Sequence, residues 1–213
     1  DLVIGAGGGS VLDVAKIIAA ISGKDGSVAD YLYGKSVSEK GLPYIAIPTT
    51  AGSGSESTPN SVLIDTRRNI KSSIRSKYMI ADTVIVDPEI LLYLSPQITA
   101  YSGMDSLTQA IESFVSVGAN PITDSLAARS VELFSNNLVK AYRNGDDLRI
   151  KTNISIGSLM SGIAFGNGDW VLCMVWRIRL AFYLICLMDL YAVCYYLLLW
   201  NSIAKLLLKN TRI

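Results

Sequence analysis

All three tryptophans (Trp170, Trp176, Trp200) and all three cysteines (Cys173, Cys186, Cys194) follow Gly168, and no glycine or proline does. Glycine and proline mark where a chain turns and where its helices and strands stop. Up to Gly168 the sequence carries such punctuation and reads as an orderly α/β protein; beyond it the residues are bulky, apolar and unpunctuated. The two parts need separate explanations, and function is to be sought in the first.

A chain of 213 residues, half of them hydrophobic, has ample apolar content for a core. A formal charge of +1, with no run of like charges, supplies no basic field for nucleic acid, which is therefore not an expected partner. Residues 1–168 hold no cysteine and so no disulfide framework, and the three later cysteines lack the paired spacing of a zinc site. A reducing, cytoplasmic setting is the expectation. No secretory signal pattern opens the chain; Asp1-Leu2-Val3-Ile4 reads as entry into a buried strand, with a preceding segment expected to be missing.

The first feature with chemical content is the turn Gly5-Ala6-Gly7-Gly8-Gly9-Ser10, set between that strand and a helical pattern through Val11, Val14, Ala15, Ile18 and Ala19. Glycines let backbone approach a ligand closely, and a helix N-terminus presents unpaired N–H groups and a positive dipole end, so phosphate suits the place. Alone the turn is weak evidence, because it lacks the third glycine of G-x-G-x-x-G. A second such loop follows the strand Tyr44-Ile45-Ala46-Ile47: Pro48, Thr49, Thr50, Ala51, Gly52, Ser53, Gly54, Ser55, Glu56. Ligands of open α/β sheets bind beyond the carboxyl ends of strands, where two loops of this kind converge.

Val84-Ile85-Val86 reads as a third buried strand, after which the periodicity becomes helical near residue 95. Ser95-Pro96 and Asn120-Pro121 are helix starts, with a capping side chain before a proline in the first turn. Between them Leu107, Ile111, Phe114 and Val115 share one helical face, and Asp105, Gln109 and Glu112 the other. A carboxylate and an amide at i, i+4 point the same way and can hold a cation. Polar faces are ordinarily solvated, so spacing alone makes no metal site.

In content and order these segments resemble the iron-containing, group III alcohol dehydrogenases, related to glycerol dehydrogenase and dehydroquinate synthase. Gly7-Gly8-Gly9-Ser10 with Asp13 is similar to the family's pyrophosphate turn, Pro48 to Glu56 to its second nucleotide loop, and Gly103-Met104-Asp105 onward to the helix bearing its first metal ligands. Gly162-Ile163-Ala164-Phe165-Gly166-Asn167 resembles the segment before the remaining ligands. The resemblance implies an α/β nucleotide-binding (Rossmann-like) domain over residues 1–95 and an all-helical metal-binding domain over 96–168, both incomplete. It implies NAD or NADP, a divalent metal (iron or zinc) in the cleft between them, a small alcohol or aldehyde as substrate, and a homo-oligomer. The metal polarises the substrate oxygen and so eases hydride transfer to or from the nicotinamide. By resemblance, Gly7, Gly8, Gly9, Ser10, Asp13, Thr49, Thr50, Ser53, Thr58 and Lys71 contact the cofactor, and Asp105 and Gln109 take metal positions.

The chain also departs from the family, which ligates its metal through one Asp and three His, because it contains no histidine. Asp105 matches the aspartate and Gln109 stands where the first histidine belongs. The other two histidines belong after Asn167, in Gly-Leu-Gly-x-Val-His-Gly and, fourteen residues on, Pro-His-Gly. Residues 169–213 are expected to be the right gene read in the wrong frame. Starting each codon at the third base of the old one, Cys173-Met174 yields His or Tyr, Met174-Val175 must yield Gly, Leu187-Met188 permits His, and Met188-Asp189 must yield Gly. The two His-Gly pairs return at the family's spacing. Resequencing the codons for Asn167 to Trp170 is expected to reveal a single-base insertion or deletion; an unaltered sequence would make the change a real mutation.

A membrane segment is the competing reading of residues 170–200. It is disfavoured because Arg177, Arg179 and Asp189 interrupt a span that needs about 20 mainly apolar residues. Two functional classes follow: an NAD(P)- and metal-dependent alcohol or aldehyde oxidoreductase, or a catalytically inactive nucleotide-binding remnant of one. With its metal site incomplete, the chain as written is expected to turn over little or nothing.

Overall fold

The computed structural model describes residues 1–168. The expectations for residues 169–213, frame change and membrane segment alike, lie outside the described residues. The strands in chain order are β1 (Val3–Gly7), β2 (Tyr44–Pro48), β3 (Asn60–Asp65), β4 (Ile70–Arg75) and β5 (Thr83–Val84). β1, β2 and β5 form a parallel sheet in that order, with Val3 opposite Tyr44 and Gly7 opposite Pro48. Parallel neighbours need a crossover, supplied between β1 and β2 by α1 (Gly9–Ile21) and the short α2 (Val28–Leu32). Both glycine loops therefore leave the same, carboxyl edge of the sheet.

The strand expected at Val84–Val86 is shorter and less buried. Only Thr83–Val84 pairs, on one side, and Ile85 is 46% exposed, as befits an edge strand. β3 and β4 form an antiparallel hairpin that the sequence reading did not anticipate. Its turn is held by Asp65 Oδ1, which accepts from the N–H groups of Arg67 (2.9 Å) and Arg68 (3.2 Å), with Asn69 in the left-handed region.

Helix α1 lies between sheet and hairpin, which decides which of its faces is covered. Leu12, Ala15 and Ala19 pack with Tyr44 and Ala46 of β2, while Ile17 and Ala20 pack with Tyr31, Val37, Ile74 and Met79. Of the residues in the helical pattern, Ala15 and Ala19 are buried, whereas Val11, Val14 and Ile18 are nearly half exposed. The helix is apolar on every side, so periodicity could not choose the face.

Three long helices follow: α3 (Pro96–Phe114), α4 (Pro121–Arg143) and α5 (Leu148–Asn167). Their starts follow the capping signals. Ser95 accepts from the Ile98 N–H, Asn120 from those of Ile122 and Thr123, and Asp147 from that of Ile150. Leu107, Phe134, Leu138 and Ile154 are buried among them. Small residues bring the helices close: Ser130 Oγ donates to the Gly157 carbonyl (2.7 Å) and Ser161 Oγ to that of Ser106 (2.8 Å). The described residues belong to one compact unit, so sheet and helices share an interface where the second glycine loop lies. No described helix is long and apolar enough to cross a membrane.

Candidate functional site

The two glycine loops meet. At the end of β1, the Gly7 carbonyl accepts the Thr49 N–H (2.9 Å), which ties the start of the second loop to the first. A Cβ on Gly9 would lie 2.5 Å from Ser53 Oγ, and one on Gly8 3.4 Å from Thr50 Oγ1. Gly9 is thus required by the approach of Ser53.

The loops present a surplus of donors. α1 begins at Gly8 without a side-chain cap, whereas α2, α3, α4 and α5 all have one. Across from it, the N–H groups of Thr50, Ala51, Gly52, Ser53 and Gly54 find no acceptor among the described residues. An uncapped helix N-terminus beside a loop with free N–H groups, Thr50 and Ser53 lying against Gly8 and Gly9, is an anion-binding arrangement, suited to a phosphate or pyrophosphate.

The second loop continues into the helical part. Gly54 has φ 64°, and a Cβ there would lie 2.6 Å from the Gly162 Cα of α5. Gln109 of α3, fully buried rather than on a solvated face, donates from Nε2 to the Gly52 carbonyl (3.3 Å) and to Asp105 Oδ2 (3.1 Å). Its Oε1 is buried with no hydrogen-bond partner. A buried acceptor left unpaired carries a penalty of about 1–3 kcal/mol, which a cation on that oxygen would relieve. The Asp105 carboxylate and the Gln109 amide oxygen thus fit as two oxygen ligands of a divalent cation. They are not a full set: among the described residues no three His, Cys, Asp or Glu side chains group to hold a metal.

Beneath the loop is a buried charged cluster that sequence reading missed. Lys16 of α1, 1% exposed, donates from Nζ to the carbonyls of Ser55 (2.6 Å), Thr58 (2.9 Å) and Asn60 (2.7 Å) and to Ser55 Oγ (3.2 Å). Asp13, one turn earlier and 3.9 Å from the ammonium, accepts from Ser55 Oγ (2.6 Å). Burial pushes the Lys16 ammonium down to about 8 against the pull of Asp13 and Glu56. Burial likewise raises Asp13, despite Ser55, Lys16 and Lys71, and also Glu56; the Tyr44 phenol is pushed up by burial and by both carboxylates.

An unfolded lysine keeps its proton to about 10.5, so between pH 8 and 10.5 the unfolded chain binds the extra proton and raising the pH favours the fold. This contribution amounts to roughly 3 kcal/mol. Lys16→Met is expected to abolish it: the stability of the protein relative to the variant, from urea unfolding at pH 7 and pH 10, rises with pH. Identical pH dependence in both would refute the assignment.

Among the residues expected to contact cofactor, the structure brings Gly7, Gly8 and Gly9 against Thr49, Thr50 and Ser53. Ser10 is exposed in the first turn of α1. Asp13 and Thr58 belong instead to the buried cluster, where the Asp13 carboxylate is engaged by Ser55 rather than left free for a ligand. Lys71 lies exposed on β4, close enough to act on the charge of Asp13. The signal for Lys16 was an Asp–Lys pair at i, i+3 in a helix otherwise apolar on all sides.

Two family models cover this architecture. The one described as Iron-containing alcohol dehydrogenase matches residues 1–88, and the one described as Fe-containing alcohol dehydrogenase family, C-terminal, matches residues 99–180. The chain belongs to the iron-containing alcohol dehydrogenase family. Family relatives include long-chain-alcohol dehydrogenase 1 of Geobacillus thermodenitrificans, 46% identical over 78% of this chain and 42% of the relative. The NAD-dependent methanol dehydrogenase of Bacillus methanolicus is 37% identical over 79% and 44%. Among solved structures, the sulfoacetaldehyde reductase of Bifidobacterium kashiwanohense in complex with NAD+ superposes with a TM-score of 0.75 at 42% identity, over 77% of this chain and 44% of that one. The chain spans less than half the length of these family members.

Proposed function

We propose that this chain carries nucleotide- and metal-binding parts of an oxidoreductase that interconverts alcohols and aldehydes or ketones by hydride transfer with NAD(P). The observation that carries the reading is continuity. Free N–H groups at the start of α1 and along Thr50–Gly54 lead through the Gly52 carbonyl to Gln109 and Asp105. The N–H groups and the hydroxyls of Thr50 and Ser53 bind the cofactor pyrophosphate. Gln109 orients Asp105, and the two offer oxygens to a divalent metal, iron or zinc. When bound, that metal polarises the oxygen of a small alcohol or carbonyl substrate. Gln109 and the Gly54–Gly162 contact lock the loop to the helices, so that cofactor and metal ligands are held at a fixed separation.

Under this reading residues 1–95 form the nucleotide-binding part and residues 96–168 the metal-binding part. A cytoplasmic setting accords with the absence of cysteine from both, no nucleic-acid partner is expected, and family kinship favours a homo-oligomer. Fluorescence titration of the purified protein with NADH is expected to show saturable binding that free pyrophosphate weakens. A folded protein that binds neither NADH nor NADPH would refute the reading. The second reading, an inactive nucleotide-binding remnant, is favoured by the missing histidines. It predicts the same titration but no turnover of primary alcohols with iron or zinc added.

A further inference from the structure

The nucleotide loop has few internal bonds of its own. After Thr49 N–H, the next backbone donors with recorded acceptors are Ser55, to Ser53 Oγ, and Ser57 and Thr58, within the 3-10 turn Ser55–Ser57. A segment with so many free N–H groups needs another source of rigidity, because a mobile loop would have to be ordered by the ligand at the expense of affinity. Helix α1 provides one. Lys16 gathers three backbone carbonyls from both ends of the turn that follows the loop. Asp13 holds Ser55 Oγ, and the Asp13 carbonyl accepts from Ser61 Oγ (2.8 Å).

We propose that Lys16 is the positioning residue of the nucleotide loop: its buried ammonium, by collecting the carbonyls of Ser55, Thr58 and Asn60, fixes the loop backbone so that Thr50 and Ser53 stay against Gly8 and Gly9 at the start of α1. Lys16 meets no ligand itself. It replaces the ladder bonds that a loop open to a ligand must forgo, and its three donors match three carbonyls whose loss would leave them buried and unpaired. Because the same helix carries both the Gly8–Ser10 start and Lys16, the distance between the two donor groups is set within one rigid element. The proposal extends the nucleotide-binding reading above and rests on it for the ligand alone.

The test measures two things in the full chain: amide hydrogen exchange over residues 49–60, which needs no ligand, and NADH affinity. In Lys16→Met, exchange over 49–60 is expected to quicken at least tenfold and the NADH dissociation constant to rise about 100-fold, a change of roughly 2.7 kcal/mol. Protection over α4 and α5 is expected to stay at the wild-type level. Wild-type protection of 49–60 together with NADH affinity within threefold of wild type would overturn the proposal. If Lys16→Met does not fold, Lys16→Ala titrated with propylammonium decides: saturable recovery of loop protection and NADH binding supports the proposal, and no recovery overturns it. A wild-type protein that binds no nucleotide refutes the functional reading, while the exchange comparison still decides the role of Lys16.

Discussion

Gly54→Ala is expected to destabilise the protein by roughly 2–4 kcal/mol, well beyond what the same change does at other left-handed glycines. Gly54 has φ 64°, and its missing side chain is where the second loop crosses α5. A Cβ there lies 2.6 Å from Gly162 Cα and 3.3 Å from Gly162 N, both backbone atoms of a helix that cannot swing aside as a flexible side chain would. Gly23 is the control: φ is 74°, but nothing lies within 4 Å of the position its Cβ would take. Gly23→Ala carries only the conformational strain of about 1 kcal/mol. The difference between the two variants therefore measures the packing of loop against helix. Thermal unfolding followed by circular dichroism should place Gly54→Ala roughly 5–15 °C below wild type. Equal losses at both sites would mean that the loop and α5 are not in contact.

The parts of this architecture that declare themselves in sequence have a local cause. Ser95-Pro96 and Asn120-Pro121 each combine a side chain that accepts first-turn N–H groups with a proline that has none to offer, and each begins a helix in the structure. The glycine loops were equally legible, since close backbone approach needs glycine and a helix start free of capping side chains is itself a pattern. What sequence could not supply depends on a second element. Which face of α1 is buried depends on where the β3–β4 hairpin lies, so the apolar pattern does not reveal that Val11, Val14 and Ile18 are exposed. The hairpin itself has a turn of Thr66-Arg67-Arg68-Asn69, without the Asn-Gly or Asp-Gly pair that advertises a short hairpin. The polar neighbours of Gln109 on that face suggest solvent, yet it is fully buried and lies against the Gly52–Gly54 backbone. Lys16 was hidden by its own type: lysine is almost never fully buried unless paired, and its partners lie 39 to 44 residues away.

A loss of nucleotide binding without a loss of stability is expected from Gly9→Ala. The residue opens α1, where alanine is the better helix former by up to about 1 kcal/mol. On propensity alone the substitution is harmless to the fold. Its Cβ, however, would stand 2.5 Å from Ser53 Oγ and 2.7 Å from Ser53 Cβ, closer than such atoms come. Ser53 must yield, and it belongs to the segment of free N–H groups beside the helix start. Lost hydrogen bonds to a charged pyrophosphate cost up to about 3 kcal/mol, so the NADH dissociation constant is expected to rise on the order of 100-fold while the unfolding temperature holds or increases. Adding Ser53→Gly removes the obstructing side chain and is expected to bring affinity back to within about tenfold of wild type, the remainder being the lost hydroxyl. The cycle separates two causes that a single substitution confounds. If Gly9→Ala binds NADH as wild type does, the two loops do not share a ligand. If the double variant stays as weak as Gly9→Ala alone, the Cβ itself obstructs the ligand and the approach of Ser53 is not the cause.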